Sequence, residues 1–116
     1  SFTATAFANL GWLAWKQNDF AKAKTLSKKA TALWHPRYAF HWHGLWTLID
    51  VSLRSHKVDE AFEYVRQLKA PNQHVLSKEV DDLKTEIIEQ ADKDETANVE
   101  SLLRKALAWM KENHYL

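Results

Sequence analysis

Apolar residues recur every three to four positions along most of the chain, which is the spacing of one face of an α-helix. Ala23 and Ala30, for example, lie seven residues apart and so share a helical face. Gly and Pro number only two each, too few for the tight turns of a β-sandwich or barrel. The pattern predicts an all-α fold with helices over residues 3–17, 20–33, 37–55, 58–69, 74–91 and 95–113.

The predicted helices repeat with a step of 38 residues. Six sets of positions follow this step, and all but Ser27 are small or apolar: Phe7, Leu45 and Leu83; Gly11, Ile49 and Ile87; Ala23, Ala61 and Val99; Leu26, Tyr64 and Leu102; Ser27, Val65 and Leu103; Ala30, Leu68 and Ala106. The step predicts one repeat domain over residues 1–116, with three antiparallel hairpins at about 3–35, 36–71 and 72–116. One hairpin cannot bury its own apolar face, so we expect neighbouring hairpins to stack.

Residues between the helices fit this division of the chain. Asn18 can adopt the left-handed conformation that ends a helix, and Asp19 can cap the next one. Pro36 and Pro71 fall between hairpins, where a missing N–H has little effect. Asp94 is a suitable cap for the last helix.

The first repeat resembles the tetratricopeptide repeat. The residues that carry the resemblance are Phe7, the run Asn9-Leu10-Gly11, the run Trp15-Lys16-Gln17-Asn18-Asp19-Phe20, Ala23, Ala30 and Pro36. The resemblance implies that the hairpins stack as a short right-handed superhelix whose concave groove binds proteins. Ala14 and Ser27 depart from the family pattern, and the second and third repeats lack the Leu-Gly pair. Chaperone-binding members hold a peptide C-terminus with Asn, Lys and Arg, but the matching positions here include Ala8 and Trp12, so that acidic ligand is not expected.

In this family the first helix of each hairpin lines the groove. The resemblance therefore implies a partner-binding groove formed by Trp12, Trp15, Lys16, His43, Trp46, Asp50, Arg54 and Lys84. Aromatic and Arg side chains are favoured as binding anchors. The alternative is that the Trp rings fill the core, as aromatic stripes usually do, and this alternative is preferred for Trp34, Trp42 and Trp109 near hairpin ends.

The sequence has no arrangement typical of an enzyme, a metal site or a cofactor site. Cys is absent, and His41 and His43 are two residues apart, so on a helix they point in different directions. The acidic residues Glu79, Asp82 and Glu86 are typical of a solvated helix face rather than of paired catalytic carboxylates. We therefore expect no catalysis, no metal and no cofactor.

Charge is unevenly distributed along the chain. Residues 1–57 hold eight Lys or Arg and two acidic residues, whereas residues 58–116 hold eight Lys or Arg and thirteen acidic residues. Two solvated surfaces explain this, and a basic end that docks on an acidic neighbour is the alternative. A net charge of +1 does not favour nucleic-acid binding despite the lysines at 22, 24, 28 and 29. No apolar run approaches the ~20 residues that span a bilayer, and the lack of Cys suits the cytoplasm.

These features favour a protein-binding or scaffold module in a larger protein. Residues 100–116 resemble the C-terminal segment of bacterial signalling proteins that join an ATPase or nucleotide cyclase to a tetratricopeptide array. The alternatives to this role are a structural spacer or dimerisation domain, and a small-ligand sensor. The apolar start at Phe2, Ala4, Ala6 and Phe7 predicts a preceding repeat or domain, or a homodimer through this face.

Overall fold

The computed structural model describes residues 2–93 and 96–116, and all regular secondary structure in these ranges is α-helical. The helices are α1 (Phe2–Lys16), α2 (Phe20–Leu33), α3 (Trp42–Arg54), α4 (Val58–Leu68), α5 (Lys78–Asp92) and α6 (Thr96–Glu112). The predicted all-α class is therefore confirmed. The proposed cap at Asp94 lies outside the described residues.

Two helices begin later than the sequence pattern predicts, because the loops before them bind each other. The side chain of Gln73 donates to Tyr38 O at 2.8 Å and accepts from His41 N at 3.2 Å. The amide of His74 donates to Ala39 O at 2.7 Å. These bonds satisfy loop backbone groups that helices would otherwise satisfy, so α3 begins at residue 42 and α5 at residue 78.

Helix ends repeat with the 38-residue step. Asn18 and His56 follow α1 and α3 and have φ angles of 63° and 57°. The next amides, at Asp19 and Lys57, each donate to the carbonyl oxygen five residues earlier at 2.9 Å, which is the closure of a Schellman motif. Asp19 Oδ1 also accepts from Lys22 N at 3.2 Å. The predicted roles of Asn18 and Asp19 are thus confirmed.

Burial in the second helix of each pair follows the same step. The buried positions that recur are Ala23, Ser27 and Ala30 in α2, Ala61, Val65 and Leu68 in α4, and Val99, Leu103 and Ala106 in α6. Each helix therefore presents an equivalent face to the core. Two of the three positions carry larger side chains in α6 than in α2, Val99 in place of Ala23 and Leu103 in place of Ser27. The faces therefore need different separations from their neighbours.

The third pair of helices packs differently from the first two. Helix α3 contacts both helices of the preceding pair, α1 and α2. From the following pair it contacts only α6, and no Cα atom of α5 lies within 8 Å of one in α3. Side-chain chemistry explains the change. Gly44 and Leu48 on α3 are buried, and Gly44 lies against α2, whereas the residues 38 positions later on α5 are the exposed acids Asp82 and Glu86. Burying these carboxylates would be costly, so the apolar face of α6 takes this place.

Helix α1 lies very close to α2 at Gly11. A Cβ atom at this position would lie 2.5 Å from Ser27 Oγ and 3.1 Å from Ser27 N. At Gly44 the nearest atom would be Thr31 Cγ2, at 3.3 Å. The first contact has no room for a methyl group, whereas the second requires only a small shift of one side chain.

We expect Gly11→Ala to lower the free energy of unfolding by about 1–3 kcal/mol through overpacking, measured by urea denaturation. Gly44→Ala is the matched control and should change it by less than about 1 kcal/mol, since Ala also favours the helix. Adding Ser27→Ala to Gly11→Ala removes the hydroxyl that clashes and should restore part of the loss. Equal effects of the two Gly substitutions would show that the α1–α2 contact at Gly11 is not tight.

Candidate partner-binding site

The structure divides the predicted groove residues into exposed and buried groups. Trp12, Lys16 and Arg54 are exposed, His43 is half-buried, and Trp15, Trp46, Asp50 and Lys84 are buried. The expectation that both α1 rings are accessible is correct for Trp12, which is 38% exposed, and wrong for Trp15, which is 7% exposed. Five of these residues nevertheless form one connected cluster: Trp12, Trp15, Lys16, Asp50 and Arg54.

Trp15 is buried because its polar atom finds a partner on another helix. Its Nε1–H donates to Asp50 Oδ2 at 2.6 Å, which joins α1 to α3. A buried indole usually needs such an acceptor, and the rest of the ring supplies apolar contact area. Trp15 is therefore part of the core as well as of the wall beneath the exposed residues.

Asp50 is the centre of the cluster. It is 5% exposed, and its Oδ2 also accepts from Arg54 Nε at 2.5 Å. From α6, Lys111 Nζ lies 3.7 Å from Asp50 Oδ1. A buried carboxylate is stable only when donors compensate its charge, and here three helices supply them.

Cationic side chains lie over the faces of the two α1 tryptophans. Lys16 Nζ is 5.2 Å from the ring centroid of Trp12 and 5.5 Å from that of Trp15. Lys111 Nζ is 5.4 Å from the Trp15 centroid. All three distances suit cation–π attraction, so the rings help to hold these ammonium groups in place.

A cleft of about 270 Å³ lies between α3 and α6 beside this cluster. The residues that line it are Asp50, Leu53, Arg54, Arg104, Leu107, Ala108 and Lys111. Arg104 Nη2 donates to Glu100 Oε1 at 2.8 Å, and its side chain is 55% exposed. Arg104 and Lys111 were not among the predicted residues, because the family pattern assigns the second helix of a hairpin to the side away from the groove.

Trp46 and Lys84 lie in the interior, contrary to the groove expectation. They are 1% and 2% exposed and are 38 residues apart, in a column that also contains the buried Ala8. Lys84 Nζ is 3.6 Å from Asp81 Oδ1. Burial lowers the pKa of Lys84 from its usual value, and the Asp81 carboxylate opposes that shift. All three positions of this column face the core, so its residues do not form a binding wall.

His43 lies against Trp42, with the ring centroids 4.1 Å apart. Burial lowers the pKa of His43, with a smaller contribution from His74. Among residues 2–93 and 96–116, no group of three or more His, Asp or Glu side chains could hold a metal ion. None of the described helices has the length and hydrophobicity needed to cross a membrane.

No protein-family model, curated protein or solved structure matches this chain.

The loss of unfolding free energy in Trp12→Ala and in Trp15→Ala should distinguish a surface ring from a core ring. Trp15→Ala removes a buried ring and the hydrogen bond to Asp50, so we expect a loss of about 3–5 kcal/mol in the free energy of unfolding. Trp12→Ala should cost only about 1 kcal/mol because its ring is partly solvated. Chemical denaturation of both variants measures the difference. Similar losses would contradict the assignment of Trp12 to the surface and Trp15 to the core.

Proposed function

We propose that this chain is a protein-interaction module built from tetratricopeptide-like hairpins, stacked as a short right-handed superhelix. The 38-residue recurrence of buried positions and helix ends supports the repeat. The position of α6 next to α3 is a departure within the third hairpin. A partner segment would lie across α1, α3 and α6, and the module would be the regulatory part of a larger signalling protein.

The observation that carries this proposal is the exposed ring of Trp12 beside Lys16. Tryptophan is costly to leave in water, and Trp and cationic side chains are frequent anchors of protein interfaces. Lys16 and Lys111 both lie near the Trp15 ring, which connects Trp12 to the cleft between α3 and α6. An extended segment could therefore contact the ring and the cleft together.

The chemistry of the cluster suits recognition better than reaction. The Asp50 carboxylate is 5% exposed, and Trp15, Arg54 and Lys111 already occupy its oxygens, so a substrate would have little access to it. Its role is to hold cations in fixed positions at the surface. Such preorganised side chains reduce the entropy lost when a partner binds.

A dimerisation or spacer role is the second candidate, and the outer face of α1 favours it. Phe2, Leu10 and Leu13 are 92%, 50% and 46% exposed. Lys16 is the only charged residue in α1, so two copies of this helix could meet without strong repulsion between like charges. In this role the face would bind a second copy of the chain, whereas Trp12 would bind a partner segment.

Selection of a random peptide library displayed on phage against the whole chain tests the proposal. We expect enriched peptides that lose about tenfold or more in affinity with Trp12→Ala. Phe40→Ala is the matched control, since Phe40 is 39% exposed on the loop before α3, and it should leave affinity unchanged. Affinities would be measured by isothermal titration calorimetry.

Leu10→Lys separates the two candidates. It should leave peptide affinity unchanged if the module acts as proposed. Loss of peptide binding together with loss of self-association in sedimentation analysis would favour the dimerisation role. Failure to enrich any peptide that depends on Trp12 would contradict the interaction proposal.

A further inference from the structure

The cleft between α3 and α6 presents positive charge to solvent. Its charged lining residues are Arg54, Arg104, Lys111 and Asp50, that is, three cations and one carboxylate. Asp50 is 5% exposed, whereas the side chains of Arg54 and Lys111 are each 44% exposed. A partner that enters the cleft therefore meets the cationic groups and not the carboxylate that holds them.

Arg54 is positioned before any partner arrives. Its Nε donates to Asp50, and its guanidinium carbon lies 4.2 Å from the ring centroid of Phe20. A contact through Nε leaves the terminal nitrogens of the guanidinium as donors for a second carboxylate. Arginine binds carboxylates in this way with good geometry, and a fixed side chain loses little entropy.

The apolar walls of the cleft strengthen the attraction between its charged groups and an anionic partner. Leu53, Leu107 and Ala108 line the cleft together with the cations. Apolar surroundings reduce solvent screening, so an ion pair formed beside them is stronger than one on an open surface. A cleft of about 270 Å³ has room for a few side chains and not for a folded domain.

We propose that this cleft is a carboxylate subsite, and that the partner segment held on this surface is acidic. The inference rests on the proposed function and specifies the chemistry of the partner. The subsite is formed by Arg104 and Lys111 of α6. It differs from the peptide-terminus clamp of the resemblance, whose matching positions include Ala8 and Trp12. Asp50 and Glu100 offset part of the positive charge, so the cleft is not the extended basic surface that is typical of nucleic-acid binding.

Fluorescence anisotropy with fluorescein-labelled hexaglutamate tests the proposal at about 0.15 M salt, where long-range attraction is screened. Hexaglutamine is the uncharged comparison, and oligouridine tests phosphates. We expect hexaglutamate to bind more tightly than either. Arg104→Gln should weaken hexaglutamate binding about three- to tenfold, as expected for one charge-assisted contact.

Arg66→Gln is the matched control. Like Arg104, Arg66 is an exposed arginine paired with a glutamate on its own helix, Glu63, but it does not line the cleft. It should leave the affinity for hexaglutamate unchanged. Equal losses from Arg66→Gln and Arg104→Gln would overturn the proposal, because they would show general attraction to the whole chain.

Nuclear magnetic resonance gives a second readout that does not depend on a variant's stability. The chain has six Trp indole N–H signals, and Trp15 donates to Asp50 at the cleft. Hexaglutamate should shift the Trp15 signal, assigned with Trp15→Phe, more than that of the buried Trp34. Hexaglutamine or oligouridine binding as tightly as hexaglutamate, or an unshifted Trp15 signal, would overturn the inference. Selection of uncharged peptides that need Trp12 would overturn it too while leaving the interaction module intact.

Discussion

A buried carboxylate must be surrounded by donors, and Asp50 obtains its donors from three helices. Trp15 reaches it from α1, Arg54 from its own helix α3, and Lys111 from α6. This requirement sets how α1 and α6 lie against α3, because each donor must approach within hydrogen-bonding or ion-pairing distance. Two of these donors, Arg54 and Lys111, also line the cleft, so one constraint acts on both the packing and the candidate binding surface.

Local features of the fold could be predicted from the sequence because their causes lie within a few residues. The helical class follows from apolar spacing, and the left-handed Asn18 and capping Asp19 follow from the preferences of these side chains at helix ends. The 38-residue step in the sequence corresponds to a recurrence of buried positions, since Ala23, Ala61 and Val99 are all buried. A repeated pattern of small and apolar residues reports a repeated packing face.

Features that depend on contacts between distant residues could not be predicted in the same way. Trp15 is in helical register with the buried Ala4, Ala8 and Gly11. It is also three residues from the exposed Trp12, so spacing alone did not separate the two rings, and its partner Asp50 lies on another helix. The change from α5 to α6 as the neighbour of α3 depends on acids such as Glu86, whose effect appears only when the helices are stacked. The cleft residues Arg104 and Lys111 were missed for this reason.

A double-mutant cycle between Trp15 and Asp50 tests the central claim most directly. The free energy of unfolding would be measured for the parent chain, Trp15→Phe, Asp50→Ala and the double variant. If the buried hydrogen bond joins α1 to α3, the two substitutions should be coupled by at least about 1 kcal/mol, with the double variant losing less than the sum. Additive losses would contradict the account, because Asp50 would then not hold α1 in place.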